Sequence, residues 1–329
     1  MTHPSGDDSH APFPRATAVG GGPVRRRRSI KDRQNASRRL LFEAVDDVFD
    51  ADLDIDWDHP AAEGLAWMPD HLCSLYGTDL WNAMPTAQRR ALVTAECAEI
   101  LVHAVRLDSI AAMTAFKTIA RDRDLSDDRA RYLLRAVNDL SRNVSMYSRI
   151  LALIGAETVV HRRRSPMPAK LALLAPRKSI AFSLLLFDGG FLRSFVGDGD
   201  GDGDGEFQPH LRHLLEIHRG ASNRVMRFAR EELAENGLTS ATEVNSVRYI
   251  AHSTALAWMI ASTGDRLICD SAYVAAGLDP ILCRAEASRP DVKGPRVRRL
   301  LAAVLDACDD DGLLDCAPAR RVLRRGGVR

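Results

Sequence analysis

One stretch, Pro209 to Asn236 (PHLRHLLEIHRGASNRVMRFAREELAEN), limits what this chain can fold into more than any other. Leu211, Leu214, Leu215, His218, Val225, Phe228, Ala229 and Leu233 recur at helical spacing, with charge on the opposite face. A long helix with one apolar stripe must bury that stripe against other elements, and the chain supplies them. Similar periodicity runs through Thr86 to Arg121, from Ser126 to about Gly155, Lys170 to Val196 and Thr242 to Ser262. No segment alternates with period two, so the expected fold class is all-α, a helical bundle with additional N- and C-terminal helices. Pro85 is placed to open the Thr86 helix and Ser126 to cap the next, with Asp127 and Asp128 in its first turn. Gly189 and Gly190 are expected to interrupt the helix that contains them.

His218 lies on the apolar stripe, with Ser222 and Val225 following at plus four and plus seven on the same face. In dimetal carboxylate bundles such slots hold a Glu-x-x-His pair aimed inward, and here the geometry is present without the ligands. A second stretch, NDLSRNVSMY at Asn138 to Tyr147, echoes the first. Together IHRGASNRVMRFAREEL and NDLSRNVSMYSR resemble the two metal-binding helices of the AurF-like family, the p-aminobenzoate N-oxygenases. Two further segments agree in order and spacing: LYGTDLWNAMPTAQRRALVTAE, and SAYVAAGLDPILCRAEASRPD with a downstream GLL. The resemblance spans about residues 70 to 315 and implies a ferritin-like bundle that holds two irons and activates dioxygen.

Carried over residue by residue, the resemblance sets the first Glu-x-x-His on Leu140 and Asn143 and the second on Ser222 and Val225. No Glu-x-x-His occurs anywhere in the chain. The family's isolated histidine falls on His218, its two isolated glutamates fall near Asp108 and Asp188, and Arg142 and Arg224 of its motifs are kept. Leu140 and Val225 cannot coordinate a metal. The resemblance therefore implies a family member stripped of most dimetal ligands, a non-catalytic or repurposed binding or partner subunit with no cofactor. Two readings keep oxygenase activity: a mononuclear iron or manganese ion on His218, Asp108 and Asp188, or a rearranged centre that recruits Glu99 and His103. Metal-free catalysis, with His218 as base beside Ser222, lacks an orienting acid and an oxyanion site in the sequence.

Forty-five basic residues against 44 acidic ones give no global pull toward nucleic acid or a membrane surface, and no apolar run reaches spanning length. The six cysteines form no C-x-x-C pair, which suits a cytoplasmic protein. The family resemblance implies a homodimer or a heterodimer with a related subunit, and a bundle core able to take a small-molecule ligand. Residues 1–29, rich in Pro, Gly and charge, are expected to be a disordered tail that precedes one helical domain over 30–318. Within it, 197–206 (GDGDGDGDGE) is expected to be a flexible acidic loop, and 319–329 a frayed basic tail. Asp52, Asp54, Asp56 and Asp58 alternate like a calcium loop but lack its glycine and terminal glutamate. Glu96, Glu99 and His103 share a helix as candidate ligands or ordinary polar pairs, and His252 reads as a hydrogen-bonded core residue.

Overall fold

The computed structural model describes residues 30–45, 49–121, 127–156, 178–195, 207–239 and 246–328. The tail 1–29, the connection at 161–170 and the acidic loop 197–206 lie outside them, as does Ser126. In chain order the helices are α1 (Ile30–Glu43), α2 (Asp79–Ala83), α3 (Thr86–Ala120), α4 (Asp128–Ile154), α5 (Lys178–Phe191), α6 (Pro209–Glu235) and α7 (Val247–Arg266). The short C-terminal helices are α8 (Asp270–Ala275), α9 (Pro280–Ala287), α10 (Pro290–Leu300), α11 (Ala302–Asp310) and α12 (Ala317–Arg325). Single 3-10 turns occupy Asp70–Leu72 and Arg193–Phe195. Among the described residues the only extended pairing is an isolated bridge between Ala66 and Phe207, and the fold is an all-α, ferritin-like bundle.

The bundle proper is a ring of four helices in which α3 packs on α4, α4 on α6, α6 on α5 and α5 back on α3. Helix α3 runs as its periodicity requires, with Pro85 as its N-cap and Leu92, Leu101, Ile110 and Ala115 inward. Helix α4 begins one residue later than expected, because the Asp127 carboxylate accepts from the Arg129 N–H at 2.7 Å and so acts as the cap. It ends at Gly155, whose φ of 75° lets its N–H reach back to the carbonyls of Leu151 and Ala152. Helix α5 passes through Gly189 and Gly190 without a break. A Cβ at Gly189 would lie 2.8 Å from Met226 Cγ and 3.1 Å from the Ser222 carbonyl oxygen, and one at Gly190 would lie 2.5 Å from Val304. The glycines are close-approach points between helices, and packing overrides their weak helix propensity.

The C-terminal segments form a second layer: α7 packs on α10 and α12, and α8 on α3. The tail expected to fray from 319 is instead helical up to 325, as part of α12, and buries Ala319 and Leu323. Small residues admit them, since a Cβ at Gly326 would lie 2.7 Å from Ala261 Cβ and one at Gly294 only 2.1 Å from the Gly327 carbonyl oxygen. Residues 290–310 form two short helices, α10 with Pro295 inside it and α11, meeting at Leu301. The first helix ends at Glu43.

Candidate functional site

The centre of the ring receives one group from each helix. Asp108 of α3 and Asp188 of α5 are buried and hydrogen-bonded to each other, and Asp108 also bonds Asn143 of α4. Two carboxyls can bond only if one carries a proton. Burial raises both pKa values, Asp188 further because the charge on Asp108 opposes its ionisation, so the pair shares a proton at neutral pH. Asp188 is the donor in that arrangement.

His218 of α6 is linked to the pair through Tyr147, which feels the charges of both carboxyls, and is fully engaged. Its Nδ1 lies 3.0 Å from the Tyr147 hydroxyl and its Nε2 2.7 Å from Ser222 Oγ. Burial, then the charges of Arg142 and Arg193, lowers its pKa to about 4, so the ring is neutral with one nitrogen donating and the other accepting. Burial and the charges of Asp108 and Asp188 hold Tyr147 well above the ordinary phenol range, which keeps its proton in place. Tyr147 is the residue missed from sequence, although it follows Asn143 by four positions on the same inward stripe of α4.

Leu140 and Val225 are buried members of the apolar core. Arg142 and Arg224 grip one carboxylate from two helices: Asp139 lies 3.2 Å from Arg142 and 3.8 Å from Arg224, and Arg135 approaches it at 3.3 Å. Burial outweighs those cations and raises the Asp139 pKa. Arg224 thus cross-links α6 to α4, while Arg142 pairs with Asp139 within α4. The same two helices are also tied by Arg129, whose Nε donates to Glu232 at 2.6 Å.

Glu96, Glu99 and His103 go to separate partners. Glu96 accepts from the Ser74 N–H and from Arg296, each at 2.8 Å, Glu99 accepts from the Ser271 hydroxyl, and the His103 ring packs on Phe191. His252 is a buried core histidine, 2.5 Å from Ser183 Oγ, and burial lowers its pKa to about 4. Asp52 is exposed and paired with Arg149.

The dimetal centre that the resemblance implies does not fit these residues. Among the described residues no three His, Cys, Asp or Glu side chains converge to hold a metal ion, the set Asp108, Asp188 and His218 included. The cause is visible in the bonding, since both ring nitrogens of His218 already face hydroxyls. Three oxygens nevertheless lack a donor: Asp108 Oδ2, Asp188 Oδ1 and Asn143 Oδ1 are cut off from water and unpartnered.

A ring of four helices with inward carboxyls and an inward imidazole places the protein in the ferritin-like class. The sequence model described as P-aminobenzoate N-oxygenase AurF matches residues 30–312, and the chain belongs to that family. Among curated proteins and among solved structures, none matches the chain.

Proposed function

We propose that this chain is a family member whose dimetal ligands have been lost at Leu140, Asn143, Ser222 and Val225, and that it works as a non-catalytic binding or partner subunit. The observation that carries the reading is the bonding of His218. A hydroxyl meets each ring nitrogen, and the nearby carboxyls are held by a shared proton where a metal would otherwise balance their charge. Unpaired buried carboxylates are costly, and a proton removes that cost when no metal is present. Leu140 and Val225 add apolar volume where two coordinating side chains would project. The partner is a second copy or a related subunit, and any small molecule in the bundle core is bound without redox chemistry. The cysteines, all buried and none disulfide-bonded, support a cytoplasmic setting, and no helix of the described residues is long and apolar enough to cross a membrane.

The test is elemental analysis of protein expressed with added iron and manganese. Less than about a tenth of a metal per chain is expected under conditions where a structural metal would saturate. Near two per chain, lost on His218→Ala, would overturn the reading and restore the N-oxygenase.

The three unpartnered oxygens favour a second reading, a single metal ion on Asp108, Asp188 and Asn143. Oxygen donors alone suit a hard divalent ion such as manganese, whereas the family's set mixes glutamates with histidines. Such an ion would displace the shared proton and supply Lewis acidity, and in this reading His218 remains a positioning residue for Tyr147. Near one manganese per chain, abolished by Asp188→Asn and retained in His218→Ala, is the outcome that would select it.

A further inference from the structure

A cavity of about 410 Å³ opens away from the bundle centre, where α6, α11 and the end of α10 meet the two 3-10 turns. Three arginines line it, Arg193, Arg230 and Arg299, and they differ in what they bind. Arg230 is occupied, donating to Asp311 at 2.6 Å and to Asp310 at 3.3 Å. Arg193 offers one N–H to the thioether of Met226 at 3.7 Å, a weak acceptor. Arg299 lies over the Tyr76 ring at 5.8 Å, and its Nε is closed off from water with no acceptor.

A guanidinium N–H without an acceptor forfeits hydration with nothing in return. Burial, with the charges of Arg296 and Arg298, lowers the pKa of Arg299, which states the same cost in another form. Two planar forks without a carboxylate partner among the described residues, on one concave wall, match the geometry of a carboxylate or phosphate head. Ser194 adds no donor, since its hydroxyl is given to the Leu300 carbonyl at 3.1 Å. Leu72, Met226 and Ala307 are the buried apolar part of the lining, and exposed Asp306 stands at the rim, where it disfavours a second negative charge. The volume is that of a small-metabolite site.

We infer that this cavity binds a small organic molecule carrying a single carboxylate or phosphate head, with Arg193 and Arg299 holding the head and Leu72 and Met226 contacting the remainder. The inference is independent of whether the bundle centre holds a metal. It is tested by equilibrium dialysis of the full chain, in chelator and at constant ionic strength, with two probes, inorganic phosphate and butyrate. Saturable binding of at least one probe, at one per chain, is expected. Phosphate alone identifies a phosphate ester as the ligand class, and butyrate alone a carboxylic acid. Arg193→Gln and Arg299→Gln should each weaken binding by about tenfold or more, the usual loss for a hydrogen bond to a charged group. Asp306→Asn should tighten binding by about twofold to fivefold, since a like charge at the rim is removed. Absence of saturable binding of both probes overturns the proposal, as does binding unchanged in both arginine variants. Should the arginine variants not fold, the exposed Asp306→Asn decides alone, and an unchanged affinity sinks the idea.

Discussion

The bundle centre and the outer cavity are opposite in what they lack. At the centre three acceptors, Asp108 Oδ2, Asp188 Oδ1 and Asn143 Oδ1, have no donor, while in the cavity the Nε of Arg299 has no acceptor. Helix α6 faces both, with Ser222 turned to His218 and Met226, one turn later, lining the cavity. The centre relieves its charge internally with a proton. A guanidinium cannot discharge itself near neutral pH, so the cavity can be relieved only by something brought in from outside. Similar-looking polar clusters thus point to different states, one closed on itself and one awaiting a ligand.

The harshest way to break that contrast is to add charge to each region. Leu140→Glu buries a carboxylate in the apolar wall of the centre, and without metal it should destabilise the protein by roughly 3–5 kcal/mol in urea denaturation. Ala303→Glu, at the half-exposed edge of the cavity, should cost roughly 0.5 kcal/mol or less. If added manganese or iron rescues Leu140→Glu, the centre is a metal site one ligand short, and its closed character is lost. His218→Ala comes next. It strips the Tyr147 and Ser222 hydroxyls of their shared partner and leaves a void, at a cost of roughly 2–4 kcal/mol in metal-free protein. A histidine that served only as a metal ligand would leave the metal-free stability unchanged.

How much of the molecule is legible in its sequence differs by residue. Helix α3 is readable almost to the residue, because a proline cap and an unbroken apolar stripe are local signals. Gly189 and Gly190 mislead for the opposite reason: their role depends on Met226 and Val304, distant in sequence and close only after folding. Asp108 and Asp188 stand out as carboxylates in apolar helices, but that they bond each other follows from α5 packing on α3, which spacing does not encode. Tyr147 escapes a reading built on metal-ligand chemistry, because a phenol that satisfies an imidazole is hydrogen-bond chemistry. Nor does the sequence mark Arg299 among the many arginines. An unpartnered buried N–H is a property of surroundings alone.

A milder test exploits opposite slopes with pH. A carboxyl whose folded pKa is raised, as at Asp108 from 3.8 to about 7, contributes stability that is present below the unfolded value and lost as pH rises through the folded one. His218, lowered from 6.5 to about 4, behaves in the reverse sense: its cost is absent above the unfolded value and grows as pH falls from 6.5 to about 4. Between about pH 4 and 6.5 the two slopes oppose each other, so the wild-type profile conceals both. Asp108→Asn should expose them. It should leave stability nearly unchanged at pH 4 and raise it by roughly 1–3 kcal/mol at pH 8, since each tenfold change in an ionisation equilibrium is worth about 1.4 kcal/mol. A loss of stability at pH 8 in the presence of manganese would mean that Asp108 holds a metal ion.

A small effect is expected where the two regions touch. Gly189 packs against Ser222 and Met226, so a methyl there presses on the helix that serves both. Met226 Cγ, at 2.8 Å, belongs to a flexible side chain that can yield into the cavity, whereas the Ser222 carbonyl at 3.1 Å is backbone and yields by only tenths of an ångström. Gly189→Ala should therefore cost roughly 1 kcal/mol by thermal denaturation, less than a fully overpacked core site, because one neighbour has somewhere to go. The same displacement puts Met226 where the apolar part of a ligand would lie, so anion affinity should fall while the pH profile set by Asp108 and His218 keeps its shape. If affinity and profile move together, α6 shifts as a rigid body, and the centre and the cavity are one coupled system.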